Sequence, residues 1–292
     1  MDYVAPTTVE DAVGALASSP DSRVFAGATD LIPQIRSGRP EPGLLVDLKR
    51  IDRLTAVTEN DASWTIGAAT PTSRLTEDPA FSGQFPGLSE AAGLIGSDQI
   101  QNRSSLGGNL CNASPAADSV PAMLVNDTRA VIATADGTRT IPVGDVTTGP
   151  GSTSLSTGEF IVEFEVDKPP ADTGDAYIRM IPRTEMDIAV VGAGARITLD
   201  ADGNCAEARV ALGAVAPTAR RVADAEAALT GQPINDDTLA AVAAAASDAC
   251  DPIDDKRGTI AYRKQVAGVL AKRAVRLAAD RAAGITTANG AH

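Results

Sequence analysis

Residues 104–121 read SSLGGNLCNASPAADSVP, and no other stretch constrains the chain as much. Leu106 and Leu110 are its only large apolar side chains, and the adjacent glycines Gly107 and Gly108 lie between them. A hydrophobic core is not built from such material. An ordinary surface loop has no need of so many stripped positions either. The fold must therefore bring something close to this main chain, a ligand or another piece of backbone, for which side chains are kept clear.

A shorter stretch of the same character is AGATD, residues 26–30, directly after the apolar run RVF. Backbone with few side chains can turn several N–H groups onto one anion, which is how glycine-rich loops hold phosphate. Two such loops suit a diphosphate, which needs donors on more than one side. On this reading Ala26, Gly27, Ala28, Thr29 and Asp30 form one cradle. Ser105, Leu106, Gly107, Gly108 and Asn109 form the other. The hydroxyls of Thr29, Ser104 and Ser105 and the Asn109 amide add donors, and Asp118 has the chemistry to accept from a ribose or a ring N–H. A plainer reading stands beside this one, because paired glycines commonly mark a bulge or a tight turn. GAGAR at 192–196 illustrates it: the third glycine of a dinucleotide fingerprint is missing, and the run alternates like a strand. There is no GxxxxGK[ST], so a P-loop is excluded. From these residues alone, a dinucleotide or phosphate ligand and a purely structural role both stay open.

What is missing narrows the chemistry. The one histidine is His292, the last residue, where order is not expected. Histidine bases, triads and metal sites are accordingly set aside. Cys111, Cys205 and Cys250 are far apart and make no CxxC pair, zinc set or iron–sulfur ligand set. No catalytic residue and no metal ligand is assigned, and any redox chemistry must be carried by an organic cofactor. A net charge of -13 argues against nucleic acid or an anionic membrane as partner. The N-terminal MDYVAPTTVED has neither the basic nor the apolar region of a secretion signal, so the cytoplasm is the expected compartment.

The 292 residues are enough for more than one core, and helical and strand-like periodicities alternate along them. TTVEDAVGALASS predicts a helix with Thr8 as N-cap and Asp11 at the third position. RVF and GLLVDLKRI predict strands, as do SWTIGAAT and GEFIVEFEV, with a helix in FPGLSEAAG and a hairpin around Asp136-Gly137. KPPADTGD reads as the best domain boundary. Beyond it a strand meander turns at Asp202-Gly203, and from residue 222 the chain is helical and rich in alanine. The last helix, about 259–283, is expected to bury Ile260, Val266, Val269, Leu270, Ala274 and Leu277, with its Lys and Arg residues in solvent.

Taken in order, AGATDLIPQIRSG, LLVDLKRI, IGAATPTSRL, IGSDQIQNRSSLGGNLCNASPAADSVPAML, MDIAVVGAGA and ALGAVAPTARR carry a family resemblance. The chain resembles the FAD-binding medium subunit of the molybdenum hydroxylase family, which includes carbon monoxide dehydrogenase medium subunits and the xanthine dehydrogenase flavin domain. The likeness runs from about residue 3 to about residue 280. It implies an α+β fold: a two-subdomain FAD-binding domain of the vanillyl-alcohol-oxidase type, then a smaller C-terminal domain of sheet plus helices. The corresponding units are 1–55, 56–174 and 175–285, with 286–292 expected as a flexible tail.

The resemblance also implies roles. In that family the counterparts of Ala26–Asp30 and Ser105–Asn109 grip the FAD diphosphate. Asp118 falls on a cofactor-contacting aspartate, Ile161 lies near an apolar flavin contact, and Arg179 replaces a lysine common beside the flavin ring. The implied function is an electron-transfer subunit of an oxidoreductase complex. A large partner subunit would hold the molybdenum cofactor and a small partner the iron–sulfur clusters, together a dimer of heterotrimers, and electrons would pass through FAD to an external acceptor. Two departures touch the site. Ala28 stands where a second glycine is usual, which costs energy if φ is positive there. Arg179 keeps the lysine's charge but spreads it. The three scattered cysteines also rule out the branch that carries an extra cluster in this subunit. Cys111 is expected to be a small buried residue. A stand-alone flavin oxidase would need a base over the flavin, and none stands out. A non-catalytic nucleotide-binding module is the remaining alternative.

Overall fold

The computed structural model describes residues 1–183 and 185–285; the expected tail at 286–292, with His292, lies outside them. Three strands, Asp2–Val4, Ser22–Phe25 and Leu44–Asp47, form a parallel sheet with Leu44–Asp47 in the centre. Parallel strands need crossovers, and the helices Val9–Ala17 and Leu31–Arg36 supply them. The first of these starts as its sequence predicts: Thr8 Oγ1 accepts from the Asp11 N–H at 3.1 Å, and Ala12 and Leu16 are buried. All three strands end at the same edge of the sheet, and Ala26–Asp30 leaves from that edge.

The second unit is a five-stranded antiparallel sheet in the order Val57–Glu59, Ser63–Gly67, Phe160–Asp167, Arg129–Thr134, Gly137–Pro142. Its central strand is the last to arrive. Between Gly67 and Arg129 the chain leaves the sheet and builds the helices Pro86–Gly93, Leu106–Cys111 and Ser119–Val125. The central strand feeds two cores. Phe160 and Val162 pack with Val46, Leu48 and Leu54 of the first unit, whereas Ile161, Phe164 and Val166 pack with Phe81, Leu88 and Leu106 of the second. An irregularity in register between Ile161 and Glu163 accompanies this division.

The third unit is an antiparallel meander of Thr173–Met180, Val191–Leu199, Cys205–Gly213 and Arg220–Arg221, backed by the helices Ala223–Leu229, Asp236–Asp248 and Ile260–Ala282. The long helix corrects one expectation. Ile260 and Val269 are exposed, while the buried face runs through Ala267, Gly268, Ala271, Ala274, Val275 and Ala278. The reason is close backbone approach. A Cβ on Gly268 would lie 2.6 Å from the Ala243 carbonyl oxygen, and one on Gly174 would lie 2.4 Å from that of Ala278. Only small residues fit such contacts, so Ile260 and Val269 lie off this face, while Leu270 and Ala274 are buried as expected. Nor are all its arginines solvated. Arg263 is buried and donates to the carbonyls of Val190 and Ala214 and to Asp255.

Asp175 docks this unit onto the second. Its buried carboxylate accepts from the Gly87 and Leu88 N–H groups at the start of the helix Pro86–Gly93, and from Asn126 Nδ2. Arg281 adds a bond to the Asp175 carbonyl and an ion pair with Glu90. Tyr177 and Arg179, on the same strand as Asp175, are thereby carried towards the loop that follows residue 104. No helix among the described residues is long and apolar enough to cross a membrane.

Candidate cofactor-binding site

The strand Ser22–Phe25 ends in Ala26–Asp30, which turns directly into the helix Leu31–Arg36. Ala28 has φ = 58°, the left-handed conformation that favours glycine, so the alanine there is strained. The backbone N–H groups of Gly27, Ala28, Thr29, Asp30 and Leu31 donate to no acceptor among the described residues. These residues are half-buried or exposed, and a consecutive run of N–H donors free of protein acceptors is the raw material of an anion cradle.

Ser105 caps the helix Leu106–Cys111, its Oγ accepting from the Gly108 N–H at 3.1 Å. Ser104 is held by a 2.8 Å hydroxyl–hydroxyl bond with Thr72. The two glycines then do different work. Gly107 donates its N–H to the Ala68 carbonyl at 3.1 Å, and a Cβ there would come within 2.5 Å of that same oxygen. It is bare because protein backbone crosses it. Gly108 is exposed, and a Cβ there would meet only Ser105 Oγ at 3.3 Å. The N–H groups of Ser105 and Leu106 have no acceptor among the described residues. Asn109 accepts Ser119 Oγ at 2.7 Å through its carbonyl oxygen, which leaves its amide N–H groups unpaired among those residues.

The two loops touch. A Cβ on Gly27 would lie 1.7 Å from the Arg103 carbonyl oxygen, so the first loop closes onto the backbone that leads into the second. A side-chain clasp joins them again further out, where Gln34 Nε2 donates to Asn112 Oδ1 at 2.9 Å. Neither Gln34 nor Asn112 carries a signal in the sequence that marks it for this role, because they are 78 positions apart.

Asp118 lies in a buried network. Tyr177 OH donates to Oδ1 at 2.8 Å and Arg179 Nη1 to Oδ2 at 2.7 Å. Burial pushes the Asp118 carboxyl above its usual range, against the opposing pull of Arg179 and the hydrogen bonds. Both oxygens thus already serve protein donors, while Arg179 Nε is buried without a partner. Ile161 is buried in the second core, in the same cluster as Leu106 and Ala117. Cys111 departs from the expectation only in part: it is accessible to solvent, yet enough protein surrounds it that burial pushes its thiol up to about 12. It stands one turn from Gly108, on the helix face opposite Leu106 and Leu110, which take the core.

These features fit a diphosphate-bearing dinucleotide. Unpaired N–H groups line two touching loops, Gly108 leaves an unobstructed approach, and the buried Arg179 adds positive charge. The comparisons with known proteins point the same way. Residues 1–169 match the family described as the FAD binding domain in molybdopterin dehydrogenase, and residues 176–278 match the CO dehydrogenase flavoprotein C-terminal domain. The chain is 32% identical to the putative xanthine dehydrogenase FAD-binding subunit of Escherichia coli K12, covering 97% of each chain. It is 34% identical to the 6-hydroxypseudooxynicotine dehydrogenase complex subunit alpha of Paenarthrobacter nicotinovorans, over 96% of this chain and 95% of that one. Among solved structures it is similar to carbon monoxide dehydrogenase from Hydrogenophaga pseudoflava, with a TM-score of 0.91 and 33% identity over 97% of this chain and 98% of that one. Quinoline 2-oxidoreductase from Pseudomonas putida gives a TM-score of 0.90 at 28% identity, over 97% of this chain and 98% of that one. The chain belongs to the family of FAD-binding subunits of molybdopterin dehydrogenases.

Proposed function

We propose that this chain is the FAD-binding, electron-transfer subunit of a molybdenum-containing hydroxylase or dehydrogenase complex. The observation that carries this reading is the pair of touching loops whose backbone N–H groups have no protein acceptor. When bound, FAD supplies the one- and two-electron chemistry. The chain's own work is to bind and orient it. Gly27–Leu31 from one side and Ser105–Leu106 from the other offer N–H donors to the diphosphate, and Gly108 leaves room for it. The Asn109 amide adds donors. Arg179, anchored by Asp118, which Tyr177 holds in turn, would be a fixed cation that stabilises negative charge on a reduced ring, and Ile161 and Leu106 form apolar packing behind the site. Asp118 acts through Arg179 as much as by direct contact.

The residues divide into two FAD-binding subdomains, 1–55 and 56–174, and a C-terminal domain, 175–285, whose first strand brings Tyr177 and Arg179 to Asp118. A large subunit with the molybdenum cofactor and a small iron–sulfur subunit complete the assembly, as a dimer of heterotrimers in the cytoplasm. The names of relatives such as the carbon monoxide dehydrogenase medium chain support a complex built from chains of different size. Affinity purification of the native complex tests this reading. The expected result is one FAD per copy of this chain, together with a molybdenum subunit and an iron–sulfur subunit. A colourless chain that takes up no FAD, or a chain that turns over a small substrate alone, overturns it.

A further inference from the structure

We propose that Lys49 is a positioning residue for the first cradle: its ammonium sets the direction of the N–H groups that face the cofactor. The inference rests on the cofactor reading above. Lys49 lies just beyond the central strand Leu44–Asp47, in the single turn Leu48–Arg50. Its Nζ donates to the Ala26 carbonyl at 2.8 Å and to Asp47 Oδ1 at 2.6 Å, and it sits 4.2 Å from the centroid of the Phe25 ring. Phe25 and Ala26 are the two residues through which the chain enters the cradle. One cation therefore fixes the end of the edge strand in three ways: by hydrogen bond, by ion pair to the neighbouring strand, and over an aromatic face.

Peptide planarity turns this tether into a directional device. The Ala26 C=O and the Gly27 N–H belong to one rigid trans peptide and point in opposite directions. Holding the oxygen towards Lys49 aims the Gly27 N–H the other way, and Gly27 begins the run of unpaired donors. A cation on the carbonyl also polarises that peptide and strengthens its N–H as a donor.

The anchor is itself well built. Asp47 is 7% exposed and accepts from Tyr3 OH at 2.8 Å and from the Lys49 N–H at 3.0 Å, besides the ammonium. Burial alone would push its carboxyl up, but the bonds from Lys49 and Tyr3 outweigh that and hold it below the usual carboxylate range. Two of the three ammonium hydrogens are used, and the side chain is 31% exposed, so one donor stays free.

The competing account makes Lys49 no more than a counter-ion for Asp47. FAD titration of the full-length chain, followed by flavin fluorescence and paired with the melting temperature of the apoprotein, separates the two. Lys49→Met is expected to weaken FAD binding about tenfold, the scale of one hydrogen bond to a charged group. Lys49→Arg, whose guanidinium can still reach the Ala26 carbonyl, restores most of the affinity. The double variant Lys49→Met/Asp47→Asn removes the uncompensated acid, so it folds even where the single variant does not, and it should remain about tenfold weak. Wild-type affinity in the double variant overturns the inference and leaves the function intact. A wild-type chain that binds no FAD defeats the function itself, and the inference with it.

Discussion

Replacing Gly27 by alanine should separate the two cradles. The added Cβ would lie 1.7 Å from the Arg103 carbonyl oxygen and 2.4 Å from its carbonyl carbon, where ordinary contact begins at 3.4 Å. Both sides of this contact are backbone, so no side chain can swing away, and the loops must part by about 1.5–2 Å. Overpacking of this kind costs about 1–3 kcal/mol, and rigid partners put it at the upper end. At about 3 kcal/mol the expected loss of FAD affinity is roughly a hundredfold, because the donors of both loops serve the diphosphate only at their shared spacing. The same cost lowers the melting temperature of the apoprotein by roughly 6–10 °C. Gly108→Ala is the control. Its Cβ meets only Ser105 Oγ at 3.3 Å, and alanine is the better helix former, so the apoprotein should keep its melting temperature or gain about 2 °C. Its affinity for FAD should nevertheless fall, because Gly108 is exposed on the side where the diphosphate is proposed to approach. Scanning fluorimetry and a flavin fluorescence titration measure both quantities. If Gly27→Ala melts and binds FAD as the wild type does, the loops are not packed as described and the reasoning fails.

Two other variants probe the neighbouring residues. Ala28→Gly relieves a left-handed alanine at φ = 58°. That strain is worth roughly 1–2 kcal/mol, of which about 0.4–1 is returned as unfolded-chain entropy, so a net gain of about 0.5–1 kcal/mol should appear in the urea midpoint. A loss of stability would show that the alanine makes contacts worth more than its strain. Asp118 bears on pH. Burial raises its folded pKa above the unfolded value of about 3.9, so its contribution to stability is full below that value and declines as pH rises through the raised folded pKa. The destabilisation caused by Asp118→Asn should therefore be larger at the acid end of this window than above it. Urea melts of both proteins across acidic pH test this, and a difference that grows with pH would show that Arg179 outweighs burial.

Local features were legible in the sequence because they depend on neighbours a few positions apart. The Thr8 cap is one, and so is the strand RVF leading into the turn at Ala26–Asp30, whereas the helix Leu106–Cys111 lies in a stretch that read as a loop. The glycine-poor position at Ala28 could be flagged, though its φ could not be known. What escaped the reading depends on distant backbone. Gly27 and Gly107 are bare because the Arg103 and Ala68 carbonyls cross them, not only because a ligand must approach. Lys49 read as the charge ending an apolar strand; its carbonyl partner is 23 positions earlier. Arg263 read as solvated because the carbonyls that satisfy it, on Val190 and Ala214, come from strand ends far away in the chain. Cys111 read as buried from the company it keeps, yet its helix gives the core to Leu106 and Leu110 and leaves Cys111 accessible to solvent within dense surroundings.

Amide hydrogen exchange on the full-length chain, with and without FAD, tests the central claim most directly. The backbone N–H groups of Gly27–Leu31 and of Ser105–Leu106 have no acceptor among the described residues, so they should exchange fast in the free chain. The account predicts that FAD slows exchange in both segments together, and far less in the third unit's outer helices. FAD that binds while both segments continue to exchange at their free rates would contradict it.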